Sequence, residues 1–349
     1  MRALFLPQSC ELGPSSRYRV YQLLPDLQEH GIESKISPAL DAATYTDIYL
    51  RGSGSRSAAF RATRRQRKAD LQRLDEFDTV FVQKGVFPGL YSGFERRIAA
   101  RKPLVFDLDD AIWLPREGGN SLLRWLHNER KVQEVMHCAA AVIAGNAFLA
   151  DYARQFNCNV TIVPSSIDTA KYPPAADSDV VGWIGSRTTL HYLKVLAPMF
   201  AELKITPRVI ASDDSTNLGF AADFQQWTLE GELNELAGIG IGIAPLPDNA
   251  WERGKCGVKL LQYMAAGIPV VASPVGVHKE IVKHGVNGFL AEHLKDWRNY
   301  LRELLNDPAL RHRLGTAGRE TVLKRYDVRR AAAKVARVLA ASTQKIPGY

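Results

Sequence analysis

The feature that most constrains this chain is a rhythm that runs through it twice: a short, nearly unbroken apolar run, then a longer segment with helical spacing. In the first half the runs lie at 3–6, 79–82, 104–106, 141–144 and 160–163. In the second half they lie at 180–184, 208–211, 239–244, 270–272 and 288–290. Helical segments fall between them at 18–30, 121–138, 146–156, 190–203, 259–266 and 297–305. A strand that is half exposed alternates polar and apolar residues, whereas one covered on both faces does not. Continuous apolar strands separated by amphipathic helices therefore predict parallel sheets buried on both sides. Crossovers between parallel strands wind such sheets into Rossmann-like domains.

A chain of 349 residues is longer than one hydrophobic core usually organises, and two domains follow. The expected division is a first domain at 1–168, a linker at 169–179 holding Pro173, Pro174 and Asp177, and a second domain at 180–325. Beyond Asp307-Pro308 the chain reads as helical, with Gly315 and Gly318 as its main interruptions. Segment 326–349 is expected to cross back to the first domain. The fold class is α/β, two doubly wound parallel-sheet domains facing across a cleft, with ligands at the C-terminal edges of both sheets.

Lys and Arg total 45 against 37 Asp and Glu, an excess of +8 that favours an anionic partner. Cys10, Cys138, Cys158 and Cys256 form no CxxC pair and have no His at zinc spacing, so reduced thiols and no metal are expected. The apolar run at 3–6 is too short for a leader and suits a first strand, and no stretch is long enough to span a bilayer. The expected location is cytoplasmic. Segment 51–73 adds a second thought, because Arg51, Arg56, Arg61, Arg64, Arg65, Arg67, Lys68 and Arg73 are opposed there only by Asp70. Such a segment either solvates one helix face or touches an anionic membrane surface, at the inner face of the membrane. No aromatic-basic module points to nucleic acid.

The densest pattern runs from 245 to 291. Gly254 and Gly257 let a loop backbone approach a ligand, and a helix opening near Val258 aims free N–H groups the same way. Arg253, Lys255 and Lys259 add three cations, which suits a diphosphate. Tyr263-Met-Ala-Ala-Gly-Ile-Pro-Val-Val271 follows, then a loop at Gly276, Glu280-Ile-Val282, and Gly285-Val-Asn-Gly-Phe-Leu290. This ordered stretch resembles the C-terminal signature of family 4 of the GT-B glycosyltransferases. The strand and loop Val181 to Ser186, and Val163 to Asp168, resemble that family's donor loop and hinge. The resemblance implies transfer of a sugar, with retention, from UDP- or GDP-sugar to an acceptor that is a glycan, a lipid-linked species or a small molecule. The nucleotide sugar is then a substrate, and no cofactor or metal is implied.

Carried over residue by residue, the resemblance places the donor on Gly185, Ser186, Lys259, Gln262, Gly276 and Glu280, and the phosphate charge is expected to be met by Arg187, Arg253 and Lys255 together with Lys259. The chain departs from the family at several positions, and Ser186 stands where an Arg is usual, with Arg187 beside it. Two Glu separated by seven residues are usual, and here those positions are Gly254 and Gln262. Gln262 keeps a carbonyl acceptor for a ribose but no charge, and Glu252 or Asp248 could replace the first Glu. In the first half, Ser16, Arg17 and Arg19 open a helix after the first strand, where the family's first loop lies. Asp107, Asp109 and Asp110 follow another strand, where three carboxylates rarely serve packing alone. The family's usual His-Asp pair maps onto Asp109 and Asp110, so Asp109 joins Arg253 and Lys259 as a catalytic candidate. The missing glutamates leave two rivals open, a non-catalytic nucleotide-sugar or glycan binder and a sugar-nucleotide epimerase.

Overall fold

The computed structural model describes residues 1–86, 91–115, 129–175, 177–212 and 217–344. The chain divides into two compact units. The first holds Met1–Ser165, Arg253–Cys256 and the chain from Val328 onward; the second holds Ser166–Glu252 and Gly257–Asp327.

The first unit is a six-stranded sheet: β1 (Arg2–Leu6), β2 (Glu33–Ile36), β3 (Thr79–Gln83), β4 (Leu104–Leu108), β5 (Ala141–Ala144) and β6 (Val160–Ile162). Their order is β2-β1-β3-β4-β5-β6, every pairing parallel, with Leu4 opposite Val80 and Val80 opposite Leu104. Successive side chains leave opposite faces, and both faces are dry. Leu4, Leu6, Val80, Val82, Leu104 and Phe106 pack on one side with Leu74, Val135 and Met136. Ala3, Phe5, Phe81, Val105 and Ile143 pack on the other with Leu23, Leu27, Val335 and Leu339. The helix Val328–Gln344 is thus part of the first unit's core, and its fully buried Leu339 contributes about 1.5–3 kcal/mol of burial.

The second unit repeats the plan with β7 (Val181–Ile184), β8 (Arg208–Ala211), β9 (Asp223–Gln226), β10 (Ile241–Ala244), β11 (Val270–Ala272) and β12 (Phe289–Leu290), in the order β12-β11-β10-β7-β8-β9. These pairings are parallel too. Trp183, Ile241, Ile243 and Val271 pack against Leu193, Phe200, Trp297 and Leu301.

Three local expectations change. The helix expected at 18–30 is two short helices, Pro14–Arg19 and Leu24–Glu29, because Pro25 can only occupy a first turn. Likewise 190–203 is a run of 3-10 turns, Arg187–Leu196, and then a helix from Ala197 with Pro198 in its first turn. Gly315 and Gly318 do not interrupt anything: the helix Pro308–Arg325 runs through both. They are buried, and a Cβ at Gly315 would lie 1.9 Å from the Gly267 carbonyl oxygen. Glycine there permits contact between two backbones. Of the helix expected at 121–138, the part at 121–128 lies outside the described residues, and Glu129–Cys138 is helical. No helix among the described residues is long and apolar enough to cross a membrane.

Candidate active site

Ligands of open parallel sheets bind at the strand C-termini where the strand order reverses. The order reverses between β1 and β3 in the first unit and between β7 and β10 in the second. Each of those edges carries a polar constellation.

In the first unit the helix Pro14–Arg19 brings Ser15 and Ser16 over the ends of β1 and β3. The Ser9 N–H and hydroxyl both donate to Ser16 Oγ (3.1 Å), and the Ser16 hydroxyl donates to Gln83 Oε1 (2.9 Å). Gln83 Nε2 donates to Ser15 Oγ (2.6 Å), and the Ser15 hydroxyl donates to Asp109 Oδ2. Four side chains are thereby fixed in one direction, ending on a carboxylate. After β3 the chain turns at Lys84, whose φ of 61° is a left-handed conformation that a lysine rarely takes. The turn brings Lys84 Nζ to 3.1 Å from Asp109 and 2.5 Å from Asp110. Lys255, from the segment Arg253–Cys256, reaches the other oxygen of Asp110 at 3.1 Å. Asn146, the N-cap of the helix after β5, seats this segment by donating to the Gly254 carbonyl (3.0 Å) and the Lys255 carbonyl (3.1 Å).

The charges are matched. Burial works against the charge on Asp110, but Lys84 and Lys255 outweigh it and hold the carboxyl well below its usual range. Burial likewise opposes the charge on Lys84, and Asp109 and Asp110 hold the ammonium above its usual value. Asp107 pairs with Arg19, which also donates to the Val163 carbonyl at 2.7 Å. Burial and then Asp109 push the Cys256 thiol far up, so it is a packed thiol that donates to the Asp109 carbonyl (3.3 Å). Among the described residues no cluster of His, Cys, Asp and Glu is arranged to hold a metal ion.

In the second unit Gly242 leaves room for the Tyr263 ring on β10, since a Cβ there would lie 2.5 Å from it. The Tyr263 hydroxyl accepts the Ile184 N–H (2.9 Å) and so pins the end of β7. Beyond that end, Gly185 leaves room for two side chains. A Cβ on it would meet Lys259 Nζ at 2.5 Å and the Trp183 ring at 2.6 Å. Without one, Lys259 Nζ lies 3.9 Å above the Trp183 ring and 3.3 Å from Thr189 Oγ1. A cation over an indole is held in place by the negative face of the ring. Gly257 (φ 70°) caps the helix Val258–Ala265 that carries Lys259, and Gly276 (φ 51°) turns the loop after β11.

Residues 249–321, about a fifth of the chain, match the family model described as "Glycosyl transferases group 1". Solved structures match over nearly the whole length. HepE of Anabaena in complex with UDP is 18% identical over 98% of this chain and 100% of its own, with a TM-score of 0.68. Sucrose-phosphate synthase of Thermosynechococcus elongatus is 14% identical over 98% of both chains, with a TM-score of 0.76. A glycosyltransferase of Rickettsia africae is 12% identical over 99% of both, with a TM-score of 0.67. The chain has the GT-B fold. No curated protein sequence matches it.

Within this GT-B fold, the residues singled out from the sequence fall into two groups. Ser16, Arg17, Arg19, Asp109, Asp110, Arg253 and Lys255 belong to the first unit. Arg19 is 4% exposed and its donors turn inward to Asp107 and Val163, so it ties the helix to the sheet. Arg17 is buried over the Tyr18 ring, and Arg253 is exposed. Gly185, Ser186, Arg187, Lys259, Gln262, Gly276 and Glu280 belong to the second unit. Ser186 and Arg187 are exposed where the 3-10 turns begin, and Glu280 is exposed with its carbonyl accepting from Arg325. Glu252 is buried, with Oε1 bonded to the Tyr192 hydroxyl. Sequence reasoning missed Gln83, Lys84, Asn146, Thr189 and Glu232. Two signals were available: a Lys-Gly pair closing a strand, and an Asn between a strand and a helix, which is an N-cap pattern.

Proposed function

We propose that the protein transfers a sugar, with retention, from a nucleoside-diphosphate sugar held by the second unit to an acceptor hydroxyl served by the first. The observation that carries this is the Lys259 ammonium, fixed over Trp183 at the end of β7, beside the loop Gly185–Ser186–Arg187 and in the first turn of the helix that Gly257 opens. The leaving nucleoside diphosphate gains negative charge as the glycosidic bond breaks. A cation already positioned against it stabilises the transition state more than the ground state. Arg187, exposed in that loop, is the further diphosphate ligand we propose, with Gln262 for the nucleotide ribose.

UDP is the proposed nucleotide, because HepE has been solved with UDP and with UDP-glucose. On the acceptor side, the chain of hydroxyls ending on Asp109 would orient an incoming hydroxyl, and Lys84 pairs with both Asp109 and Asp110 beside it. All four cysteines are free, in keeping with a cytoplasmic enzyme.

The test is turnover of UDP-glucose and GDP-sugars, with hydrolysis counted when no acceptor is present, in the wild type and in Lys259→Ala. Loss of one fixed donor to developing charge lowers kcat by about a hundredfold or more. Undiminished turnover in Lys259→Ala would remove the proposed role of that cation. Failure of every donor to raise the melting temperature would remove the donor class itself.

A further inference from the structure

The basic segment folds as the helix Arg56–Gln72, capped by Ser55, whose hydroxyl accepts the Ala58 N–H. Its buried stripe is Ala59, Thr63, Arg67 and Leu71, each four residues from the next. Arg67 is therefore part of the interior. It is 1% exposed and donates to the Val86 carbonyl (2.8 Å), the Ser37 carbonyl (2.9 Å) and Asp70 (2.7 Å).

The other cations behave differently. Arg61, Arg64, Arg65 and Lys68 are exposed, and their spacing of i, i+3, i+4 and i+7 puts them on one face. Among the described residues none of the four takes part in an ion pair. Like charges at those spacings destabilise a helix, so the stripe works against the fold unless something outside it is anionic. Two large apolar side chains accompany it. Phe60, 44% exposed, lies one helical turn from Arg64, and Tyr49, 53% exposed, lies in the turn Thr46–Leu50 just before the helix.

We propose that this stripe docks the first unit onto an anionic lipid bilayer. Four cations spread over about 10 Å of one straight helix face can meet a flat layer of headgroup phosphates together. Exposed aromatic rings on the same segment suit the depth of the headgroups, where Trp, Tyr and Phe side chains gather. A soluble polyanion has a use for the cations but none for the rings. The face has no broad apolar area, so attachment is electrostatic and reversible.

The experiment is co-sedimentation of the full chain with vesicles of phosphatidylcholine alone, or of phosphatidylcholine with about one third phosphatidylglycerol. The wild type should pellet with the anionic vesicles only and be released by high salt. Each cation near such a surface adds about fivefold to partitioning, so Arg61→Gln/Arg64→Gln/Arg65→Gln/Lys68→Gln should bind on the order of several hundredfold more weakly. Its melting temperature should not fall, since the four side chains are exposed and their removal relieves like-charge repulsion. Lys204→Gln/Lys283→Gln/Lys295→Gln/Lys324→Gln removes the same charge from exposed sites of the second unit and should leave binding intact. Equal losses in the two variants would reduce the effect to net charge and overturn the proposal. So would undiminished binding by the first variant. Retention of the wild type by inorganic polyphosphate but not by anionic vesicles would assign the stripe to a soluble polyanion instead. Sedimentation reads attachment without turnover, so its outcome is independent of the proposed reaction.

Discussion

His278 makes acid stability a measure of how dry the second unit's site is. It opens the helix His278–Ile281, is 5% exposed, and has Nδ1 3.0 Å from the Ser273 carbonyl oxygen. A carbonyl only accepts, so the neutral ring carries its proton on Nδ1. Burial disfavours the imidazolium, the Ser273 carbonyl offsets this in part, and the charge of Lys259 adds to it, so the pKa is pushed down to about 4. In the unfolded chain the same ring titrates near 6.5. Between those values the unfolded state binds more protons, so stability is complete above about pH 6.5 and falls as the pH drops towards 4. The loss reaches about 3 kcal/mol at pH 4, a large share of an ordinary stability of about 5–15 kcal/mol. His278→Asn keeps a donor for Ser273 and removes the titration. The assay is urea denaturation of both proteins at pH 7 and pH 4.5, followed by tryptophan fluorescence, with Trp183, Trp227 and Trp297 reporting on the second unit. Groups elsewhere act alike on both proteins and cancel in the difference. The variant should gain roughly 2–3 kcal/mol relative to the wild type on going to pH 4.5. Parallel losses in the two proteins would refute the reasoning, as would an imidazole resonance titrating near 6.5 in the folded protein.

Gly315→Ala sets two effects against each other. A helix interior gains about 1 kcal/mol when Ala replaces Gly, but the new Cβ would sit 1.9 Å from the Gly267 carbonyl oxygen, and backbone must move. Overpacking of that kind costs about 1–3 kcal/mol, so the melting temperature should fall; a rise would show that the two backbones are not in contact. Asp110→Asn leaves Lys84 and Lys255 short of a carboxylate and should cost about 3 kcal/mol at pH 7 in chemical denaturation. Because the Asp110 pKa is depressed, its contribution is present above the usual carboxylate range and is lost on acidification. The gap between wild type and variant should therefore close below about pH 4.

What was legible in the sequence follows from what each element buries. The central strands carry unbroken apolar runs because helices cover them on both sides, and β4, β5 and β8 lie at or within two residues of where the pattern put them. The edge strands β2 (Glu-Ser-Lys-Ile) and β9 (Asp-Phe-Gln-Gln) were missed, because one side of each has no strand partner and polar side chains suit that position. In the same way the three carboxylates after β4 stood out as chemistry and Lys255 stood out as a cation, while Lys84 did not, and neither pairing with Asp110 was legible. Lys84 follows β3 and Lys255 lies just before the helix Val258–Ala265, so they reach Asp110 only in three dimensions. Arg67 shows the converse: in sequence it is one of a run of basic residues, and only packing separates it from the exposed stripe beside it.

The same point bears on Gln262, which stands where the family that the C-terminal stretch resembles usually has a Glu. In the fold its Nε2 donates to Glu232 Oε1 at 3.1 Å, while Glu232 Oε2 accepts from the Trp227 indole at 2.7 Å. Both side chains are nearly buried, at 4% and 6% exposure. A Glu at 262 would put two carboxylates within hydrogen-bond distance in a poorly solvated place, where only one of them could ionise. An amide avoids that repulsion, and it gains more. Glu232 can only accept, so it decides which way the amide faces and turns the Gln262 carbonyl oxygen away from itself. The position therefore retains a fixed acceptor, and the negative charge lies one side chain further out, on Glu232. The substitution reads as a loss of function in a linear comparison, yet in the folded unit it is the residue that the neighbouring carboxylate requires.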